Sequence, residues 1–339
     1  MITRREVVGT TLATGAAFGL GLGRAGAQEK ALCYNCPSEW ADWAGQLRKV
    51  KERIGIEVPI DNRNSGQALA TLIAEKANPV ADVAYFGGQF GIQAKKAGVI
   101  TPYKAKDWDD VPADLKDPEG YWTALHTGAL GFFVNTKAFG RAALPRSWAD
   151  LLKPEYKGLV GYYDVPTSAG GYVMAVAVNL ALGGNLDQFD PAIKWFTELQ
   201  KNAPIIPKQT AYARVLSGEI PLLVDFDFNA YRAQYKDSAP AQFIIPAEGT
   251  VTFPYVMTLV KGGPNPELGK KIIDFTLSDE GQRHWSEAFM RPVRQSAFSP
   301  EAAKRFLPAS EYARAKALDV EAVTARQEAV IKRYQNEVR

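Results

Sequence analysis

The sequence predicts an α/β fold built from two lobes, and three observations support this prediction. Short apolar segments of the kind that form strands alternate with segments of helical periodicity over residues 30–97. Two longer apolar segments, residues 121–135 and 250–260, are typical of strands that pass from one lobe to the other. The chain has 339 residues, which is enough for two hydrophobic cores.

The first 27 residues have the composition of an export signal. Arg4 and Arg5 precede an apolar run that Gly and Thr interrupt, and the run ends in the small residues Ala25 and Ala27. The run is too short for a stable membrane-spanning helix, and its moderate hydrophobicity behind an arginine pair favours the twin-arginine export route. An ordinary secretory signal with a chance arginine pair is the alternative. Either signal predicts cleavage after Ala27 and a periplasmic mature chain of 312 residues that begins at Gln28.

Composition and charge are those of an ordinary globular protein. Apolar residues make up 46% of the chain and charged residues 23%. The formal net charge is +3, and the predicted signal carries three arginines and one glutamate, so the mature chain is about +1. We therefore expect no nucleic-acid partner and no attraction to an anionic membrane surface.

Two cysteines, Cys33 and Cys36, are separated by two residues. In a cytosolic protein this spacing would suggest a redox or metal site. In an oxidising compartment it favours a small structural disulfide, whose short loop gives modest entropic stabilisation. A thioredoxin-like site lacks its usual sequence context here, and a zinc site lacks two further ligands in a chain with two histidines.

The elements of the first half follow one another as strand and helix. Ser38 is a candidate N-cap for the first helix, in which Trp40, Trp43 and Leu47 share one face. The predicted strands are residues 30–34, 55–60 and 81–85, and the predicted helices are residues 39–54, 67–77 and 90–97. This alternation favours mainly parallel pairing within each sheet.

The second half contains further strands, a turn-rich loop at residues 164–171 and a charged, helical tail at residues 301–339. The predicted strands are residues 159–163, 221–225 and 242–245, and the predicted helices are residues 172–182, 191–202, 210–217, 267–277 and 282–289.

The chain carries no recognisable catalytic motif. His126 and His284 are its only histidines, and no nucleophile elbow, dinucleotide-binding motif or phosphate-binding Gly-Lys-Ser/Thr loop occurs. Nothing in the sequence forms a histidine-rich metal cluster. We therefore expect no enzyme activity, no cofactor and no bound metal.

Polar loops recur at the carboxyl ends of predicted strands, just before helices. In open α/β sheets ligands bind at those ends, and the free N–H groups and positive dipole of helix starts suit carboxylate, phosphate or sulfate groups. Helix capping alone explains any single loop, but four such loops together favour a polar cleft. The candidate ligand-binding residues in these loops are Asn35, Ser38, Ser65, Gly88, Gln89, Asp164, Thr167 and Ser168. Thr127 and Tyr255 are candidates in the two crossing segments.

Asp225 and Asp227 form an acidic pair at the end of a predicted strand. Residues two apart in a strand face the same side, so the two carboxylates are expected to project together while Phe226 and Phe228 face the core. A solvated strand end or an arginine partner is one interpretation. The other is recognition of an ammonium group or metal cation, with an aromatic ring nearby and Glu248 adding to the negative pole.

Seven short segments occur along the chain in an order that is familiar as a set, although none is decisive alone: residues 74–83, 97–102, 131–135, 145–151, 215–219, 275–282 and 291–293. With these segments the chain resembles the extracellular solute-binding proteins of ABC importers. The resemblance covers residues 30–300 and is to the two-lobe class that includes ferric-iron, polyamine and aminoethylphosphonate binders.

The resemblance implies a type II periplasmic-binding fold, in which two α/β lobes joined by crossing strands close on one solute and deliver it to a permease in the inner membrane. By this resemblance residues 28–125 and 252–288 would form one lobe, and residues 126–251 and 289–339 the other. We expect the protein to be a monomer.

The expected ligand is a small amine-bearing or zwitterionic solute, either a polyamine or an aminophosphonate-like molecule. Asp225 and Asp227 resemble the amine-recognising carboxylates of polyamine binders, and the Ser, Thr and Gly helix starts resemble those that grip phosphonate, sulfate or carboxylate groups. Ferric binders place adjacent tyrosines after the Gly-Glu strand, whereas Tyr162 and Tyr163 lie earlier here. Ferric iron or a small anion is the alternative ligand, and an enzyme or a thiol-redox protein is a more remote alternative.

Overall fold

The computed structural model describes residues 29–338, apart from residues 39, 141–142 and 209–210. The predicted export signal, residues 1–27, lies outside this part of the chain. Within the described part, no helix combines the length and the apolar character needed to cross a membrane.

Strands and helices alternate through the described residues. The strands are Glu29–Lys30 (β1), Cys33–Tyr34 (β2), Ile56–Glu57 (β3), Val83–Gly87 (β4), Ile100–Thr101 (β5), Thr123–Asn135 (β6), Val160–Tyr162 (β7), Leu222–Phe226 (β8), Ala241–Ile244 (β9), Thr250–Val260 (β10), Arg291–Pro292 (β11) and Ala315–Ala317 (β12). The helices are Trp43–Ile54 (α1), Ser65–Ala74 (α2), Gly88–Ala97 (α3), Thr136–Phe139 (α4), Ala169–Ala181 (α5), Asp190–Gln200 (α6), Ala211–Leu216 (α7), Asp227–Tyr235 (α8), Pro266–Leu277 (α9), Asp279–Glu287 (α10), Pro300–Ala303 (α11), Ala309–Tyr312 (α12) and Val320–Glu337 (α13).

The long strands β6 and β10 lie at the centre of a sheet whose order is β2-β4-β10-β6-β8-β7. Residues 123–129 of β6 pair with β10, whereas residues 130–135 pair with β8 and β9. We call β2, β4, β5, β10 and the start of β6 the first half-sheet, and the end of β6 with β7, β8 and β9 the second half-sheet. β6 therefore passes from one half-sheet to the other as a single continuous strand, as predicted, whereas β10 is one continuous strand that pairs within the first half-sheet and with β12.

The pairing within the sheet is mixed, so the prediction of mainly parallel sheets is wrong. β2 and β4 are parallel, as are β7 and β8, because helical connections return the chain to the same end of the sheet. The two long strands run the other way: β10 is antiparallel to β4 and to β6, and β6 is antiparallel to β8 and β9. The α/β class is nevertheless correct.

Helix α1 begins at Trp43 and not at residue 39 as predicted. Ala41 and Asp42 have φ angles of 55° and 40°, which a right-handed helix does not allow. Trp40 therefore stands outside the helix, where its ring is half-buried and packs against Tyr255 of β10 and Phe228 of α8.

The C-terminal helix α13 packs against elements on both sides of the molecule. It contacts α3, which follows the first half-sheet, and α5 and α6, which belong with the second. Gln93 in α3 donates a 2.7 Å hydrogen bond to Gln327, and the Tyr172 hydroxyl in α5 donates to the Val323 carbonyl at 2.6 Å. The predicted helical tail thus includes a helix, α13, that packs against both halves of the molecule.

Candidate ligand-binding site

Helices α2, α3 and α5 begin at one place between the half-sheets, with Ser65, Gly88 and Ala169 as their first residues. We call this place the helix-start corner. The first N–H groups of a helix have no partner within the helix, and they coincide with the positive end of its dipole. Three such starts together favour a negatively charged group.

Glycines allow these helix starts to come close. A Cβ atom placed on Gly87 would lie 2.6 Å from the Cβ of Ala169, and one placed on Gly66 would lie 2.9 Å from the Thr167 carbonyl oxygen. Any larger residue at either position would have to push α5 away from the first half-sheet. The sequence pattern of Gly, Ser and Thr before helices is therefore explained by close approach of backbones as well as by capping.

Asn35 and Ser65 form the floor of the helix-start corner. The Asn35 side-chain amide donates to the Tyr85 carbonyl at 2.7 Å and to the Ser65 hydroxyl at 3.3 Å. The Gly87 N–H also donates to the Ser65 hydroxyl, at 3.1 Å. Since both acceptor positions of that hydroxyl are used, its own proton is left to donate to a ligand. Asn35 Oδ1 is buried and has no hydrogen-bond partner in the part of the chain that the structure describes.

A disulfide between Cys33 and Cys36 encloses Asn35 in a short loop. Asn35 has a φ of 63°, a left-handed conformation that asparagine tolerates better than most residues. Its N–H donates to Asp61 at 3.1 Å. The loop, the backbone conformation and the two amide hydrogen bonds together fix the direction of the Asn35 side chain.

Gln89 is the second residue of α3 and is fully buried. Neither its Oε1 nor its Nε2 has a hydrogen-bond partner among the described residues, and Oε1 lies 3.2 Å from the Cβ position of Gly87. A buried polar group without a partner costs about 1–3 kcal/mol. An amide placed at this cost beside three helix starts indicates a group that a ligand satisfies.

Asp225 lies at the other side of the site, near the end of β8, and is 2% exposed. Its carboxylate accepts hydrogen bonds from Asn229 at 2.9 Å, the Phe226 N–H at 2.8 Å and the Tyr163 hydroxyl at 3.1 Å. Among the described residues it forms no ion pair. Burial raises the pKa of Asp225 to about 7, although the three hydrogen bonds oppose that rise.

Asp227, the first residue of α8, is held differently. Its carboxylate accepts from the Ala129 N–H at 3.1 Å and the Tyr312 hydroxyl at 3.0 Å, and Arg291 Nε lies 3.7 Å away. Burial raises the pKa of Asp227 to about 6, and the Arg291 charge opposes the rise. The arginine-partner interpretation therefore holds for Asp227. The predicted pair is not two equivalent strand residues, because β8 ends between them and Asp227 begins a helix.

Five aromatic side chains pack against one another in a single cluster, and we call them the aromatic wall: Trp40, Tyr85, Phe226, Phe228 and Tyr255. Trp40 lies nearly parallel to Phe228 with ring centroids 6.4 Å apart, and 5.3 Å from Tyr255. Phe226 and Phe228 stack at 5.6 Å. Both rings are buried in the hydrophobic core, as predicted, and they form part of the aromatic wall.

Tyr255 connects the aromatic wall to Asp225. Burial raises the pKa of the Tyr255 hydroxyl well above its usual value, and the Asp225 charge adds to the rise. Its ring stacks on His126 at 5.3 Å, and the His126 imidazole shares a 2.6 Å hydrogen bond with the Tyr85 hydroxyl. Burial lowers the pKa of His126 to about 3, so this ring is neutral and structural. Thr127 is half-buried in β6, next to His126.

The other predicted site residues lie at the rim or away from the site. Thr167 is exposed, and its hydroxyl donates to Asp164 at 2.7 Å. Ser168 is half-buried at the start of α5 without a side-chain capping bond. Ser38 is exposed and bonded to Asn62, and it caps no helix. Glu248 accepts from the backbone N–H groups of Trp148 and Ala149, away from Asp225 and Asp227.

The adjacent tyrosines have separate roles. The Tyr162 hydroxyl shares a 2.7 Å hydrogen bond with Tyr334, whereas Tyr163 donates to Asp225. Within the described residues, no group of three or more His, Cys, Asp or Glu side chains is placed to hold a metal ion.

Sequence reasoning missed several residues of the site: Trp40, Tyr163, Asn229, Arg291 and Tyr312. The sequence could have indicated Asn229, because it lies four residues after Asp225 and its side chain can reach that carboxylate when a helix begins there. Trp40 carried a misleading signal, since its spacing from Trp43 fits a helical core face. Arg291 and Tyr312 approach Asp227 from sequence positions more than 60 residues away, and no local pattern announces that contact.

The chain belongs to the bacterial extracellular solute-binding proteins, because the model of that family matches residues 78–324. It is 29% identical over 248 residues to the "Putative 2-aminoethylphosphonate-binding periplasmic protein" of Salmonella typhimurium, covering 71% of this chain and 70% of the relative. It is 23% identical over 327 residues to the "Spermidine/putrescine-binding periplasmic protein" of the same organism, covering 92% and 90%.

Solved structures agree on the fold. The periplasmic binding protein AfuA from Actinobacillus pleuropneumoniae, with fructose-6-phosphate bound, superposes with a TM-score of 0.77 over 92% of this chain and 99% of its own at 23% identity. The two-lobe α/β fold that the sequence predicts is thereby confirmed. The chain is the solute-binding component of an ABC importer, and its relatives are periplasmic transport proteins.

Proposed function

We propose that the protein binds a small zwitterion, with an amine at one end and an oxyanion at the other, between its two half-sheets. The observation that carries this proposal is Asp225, a buried carboxylate without an ion pair in the described part of the chain. Such a carboxylate is costly to keep ionised, because burial removes the water that stabilises its charge. A cationic ligand would repay that cost.

The aromatic wall supports an ammonium group in particular. Trp40 and Phe228 provide ring faces. The Tyr255 hydroxyl lies close enough to Asp225 for the charge of that carboxylate to raise the Tyr255 pKa. An ammonium group gains from ring faces as well as from a carboxylate, whereas a metal ion needs several oxygen ligands. Because Asp227 is paired with Arg291 whereas Asp225 has no ion pair among the described residues, the arrangement fits one ammonium group at Asp225.

The helix-start corner supports an oxyanion at the opposite end. It offers the Ser65 hydroxyl proton, the Gln89 amide and the N–H groups at the starts of α3 and α5, which carry no side-chain cap; at the start of α2 the Gln67 N–H is already bonded to Asn64. An aminophosphonate fits both ends of the site. A polyamine would place a second ammonium group against the positive ends of these dipoles, so it fits less well.

The remaining parts of the proposal concern the whole protein. Residues 28–125 and 252–288 form one lobe, and residues 126–251 and 289–339 form the other; the change of pairing partners along β6, from β10 to β8 and β9, supports this division. The lobes close on the solute, which removes it from water and strengthens each polar contact. The protein is exported with cleavage after Ala27, works as a periplasmic monomer without catalysis, and passes its solute to a permease.

Titration calorimetry with four ligands tests the proposal. We expect 2-aminoethylphosphonate to bind at one site per chain, more tightly than putrescine, and both single-ended analogues, ethylamine and ethylphosphonate, to bind at least about tenfold more weakly. Asp225→Asn should weaken 2-aminoethylphosphonate by about 2–5 kcal/mol, as expected for one partner of a buried charge pair. Asp114→Asn is the control, because Asp114 is exposed and far from the site in sequence. Equal affinity for ethylphosphonate, or unchanged affinity in Asp225→Asn, would contradict the amine end.

A further inference from the structure

The hydrogen bonds of Asn35 raise a question about the oxyanion end of the ligand. Asn35 is fully buried at the helix-start corner, and its Nδ2 donates to the Tyr85 carbonyl and to the Ser65 hydroxyl. Its Oδ1 has no donor among the described residues. A site for a fully ionised oxyanion needs only hydrogen-bond donors. A fixed acceptor in that site would lie against the anion with no proton between the acceptor and the anion.

The orientation of this acceptor is set by the surrounding structure. Rotating the Asn35 amide by 180° would put Oδ1 against the Tyr85 carbonyl, which sits 2.7 Å from Nδ2, and would bring two acceptors together. The disulfide of Cys33 with Cys36 and the φ of 63° hold the backbone from which the side chain projects. Gln89 differs, because both ends of its amide are free and it can turn either one toward a ligand.

We infer that Asn35 Oδ1 accepts a proton from the ligand and thereby selects a protonated oxyanion, a phosphonate or phosphate monoanion, over a sulfonate or sulfate. The inference rests on the proposed function and names the class of its anionic group. A phosphonate monoanion carries one P–OH, which donates to Asn35 Oδ1 while its other oxygens accept from Ser65, Gln89 and the helix starts. A sulfonate has no proton at neutral pH, so it leaves Asn35 Oδ1 unpaired beside a negative charge.

Charged groups near Asn35 do not supply that proton. Asp61 accepts from the Asn35 N–H and is paired with Arg63. Glu75 accepts from the Tyr34 hydroxyl at 2.8 Å, and burial with this contact raises the pKa of Tyr34 to about 12. Both carboxylates thus already have partners within the first half-sheet and its loops.

The test compares 2-aminoethylphosphonate with its sulfonate analogue, 2-aminoethanesulfonate, by calorimetry from pH 6 to pH 9. The two ligands share the amine and the chain length, so the titration of Asp225 affects both equally and cancels in the ratio of their Kd values. We expect the phosphonate to bind at least about tenfold more tightly near pH 7. We expect this ratio to fall as pH rises and the phosphonate loses its last proton. A corner made of donors alone would show the opposite trend, because the dianion would bind more tightly.

Asn35→Gly isolates the acceptor, since glycine keeps the left-handed backbone and removes the amide. We expect this variant to lose the preference for the phosphonate, mainly through weaker phosphonate binding. Asn78→Gly, at an exposed asparagine, is the matched control and should retain the preference. Equal Kd values for the two ligands, or a ratio that Asn35→Gly leaves unchanged, would overturn the inference while the proposed function stands. If Asn35→Gly does not fold, the pH trend of the wild-type ratio still decides. Binding of neither ligand would overturn both the inference and the proposed function.

Discussion

Replacing Asp225 by Asn should stabilise the protein at neutral and alkaline pH. Burial raises the pKa of Asp225 from 3.8 to about 7, so the folded state holds a proton that the unfolded state has lost throughout that interval. The free energy of unfolding therefore falls as pH rises from about 4 to about 7, and the loss is complete above pH 7. Three pKa units correspond to about 4 kcal/mol, which is the cost of keeping this carboxylate ionised in the folded protein.

Asparagine at this position removes the cost without leaving a new unpaired group. Its oxygen can keep the hydrogen bond from the Phe226 N–H, and the amide of Asn229 can turn so that its Oδ1, unpaired in the native protein, accepts from the new NH₂ group. The Tyr163 hydroxyl can rotate to accept or donate. We expect Asp225→Asn to unfold at higher urea concentration at pH 8, by about 2–4 kcal/mol, and to match the wild type within about 1 kcal/mol at pH 4.5.

Urea unfolding of both proteins at pH 4.5, 6, 7 and 8 measures this difference. The pKa of Asp227 is also raised, to about 6, and Tyr163 and Tyr255 face Asp225, but these groups are present in both proteins and cancel in the comparison. Asp114→Asn serves as the control for a neutralised surface charge. A difference between Asp225→Asn and wild type that stays constant with pH, or a less stable variant at pH 8, would refute the reasoning. The same variant should lose amine binding, so stability and function would change in opposite directions.

Three further outcomes are expected. Ser65→Ala should weaken binding of both 2-aminoethylphosphonate and 2-aminoethanesulfonate by about 1–2 kcal/mol in calorimetry. Thr167→Ala should change neither binding free energy by more than about 0.5 kcal/mol, because that exposed hydroxyl is bonded to Asp164. Equal effects of the two substitutions would be evidence against the helix-start corner. Gly87→Val should lower affinity at least about tenfold by holding α5 away, and an unchanged Kd would speak against close approach at this point. Affinity for 2-aminoethanesulfonate, whose sulfonate stays ionised throughout, should fall by up to about tenfold per pH unit below pH 7, as protons compete with the ammonium group for Asp225, and a flat profile from pH 5 to pH 7 would show that Asp225 is not the amine partner.

Much of the fold follows from local sequence patterns. Alternating strand and helix periodicity predicts the elements of the first half, and the length of the apolar segments at β6 and β10 predicts long strands, of which β6 crosses the molecule. The direction of those strands was not predictable, because it depends on where the chain re-enters the sheet and not on the residues of the strand. The sequence pattern therefore suggested parallel sheets where the structure has mixed ones.

The site was predictable in part, for a related reason. Asn35, Ser65, Gln89 and Asp225, on which the proposed site rests, could be selected from the sequence because they are polar residues at the ends of predicted strands and the starts of helices, where ligands bind in α/β sheets. The sequence could not predict that Asp227 has an arginine partner and Asp225 has none, since the partners of Asp227 are Arg291 and Tyr312, which lie in the distant C-terminal part of the chain. Trp40 was misplaced because two left-handed residues, Ala41 and Asp42, separate it from α1, and nothing in their identity demands that conformation.

A crystal structure with 2-aminoethylphosphonate bound tests the central proposal most directly. We expect the ligand nitrogen within hydrogen-bond distance of an Asp225 oxygen and beside the ring of Trp40, with the phosphonate oxygens at the N–H groups of α3 and α5 and one of them at Asn35 Oδ1. A phosphonate placed against Asp225, or a ligand bound outside the space between the half-sheets, would contradict it.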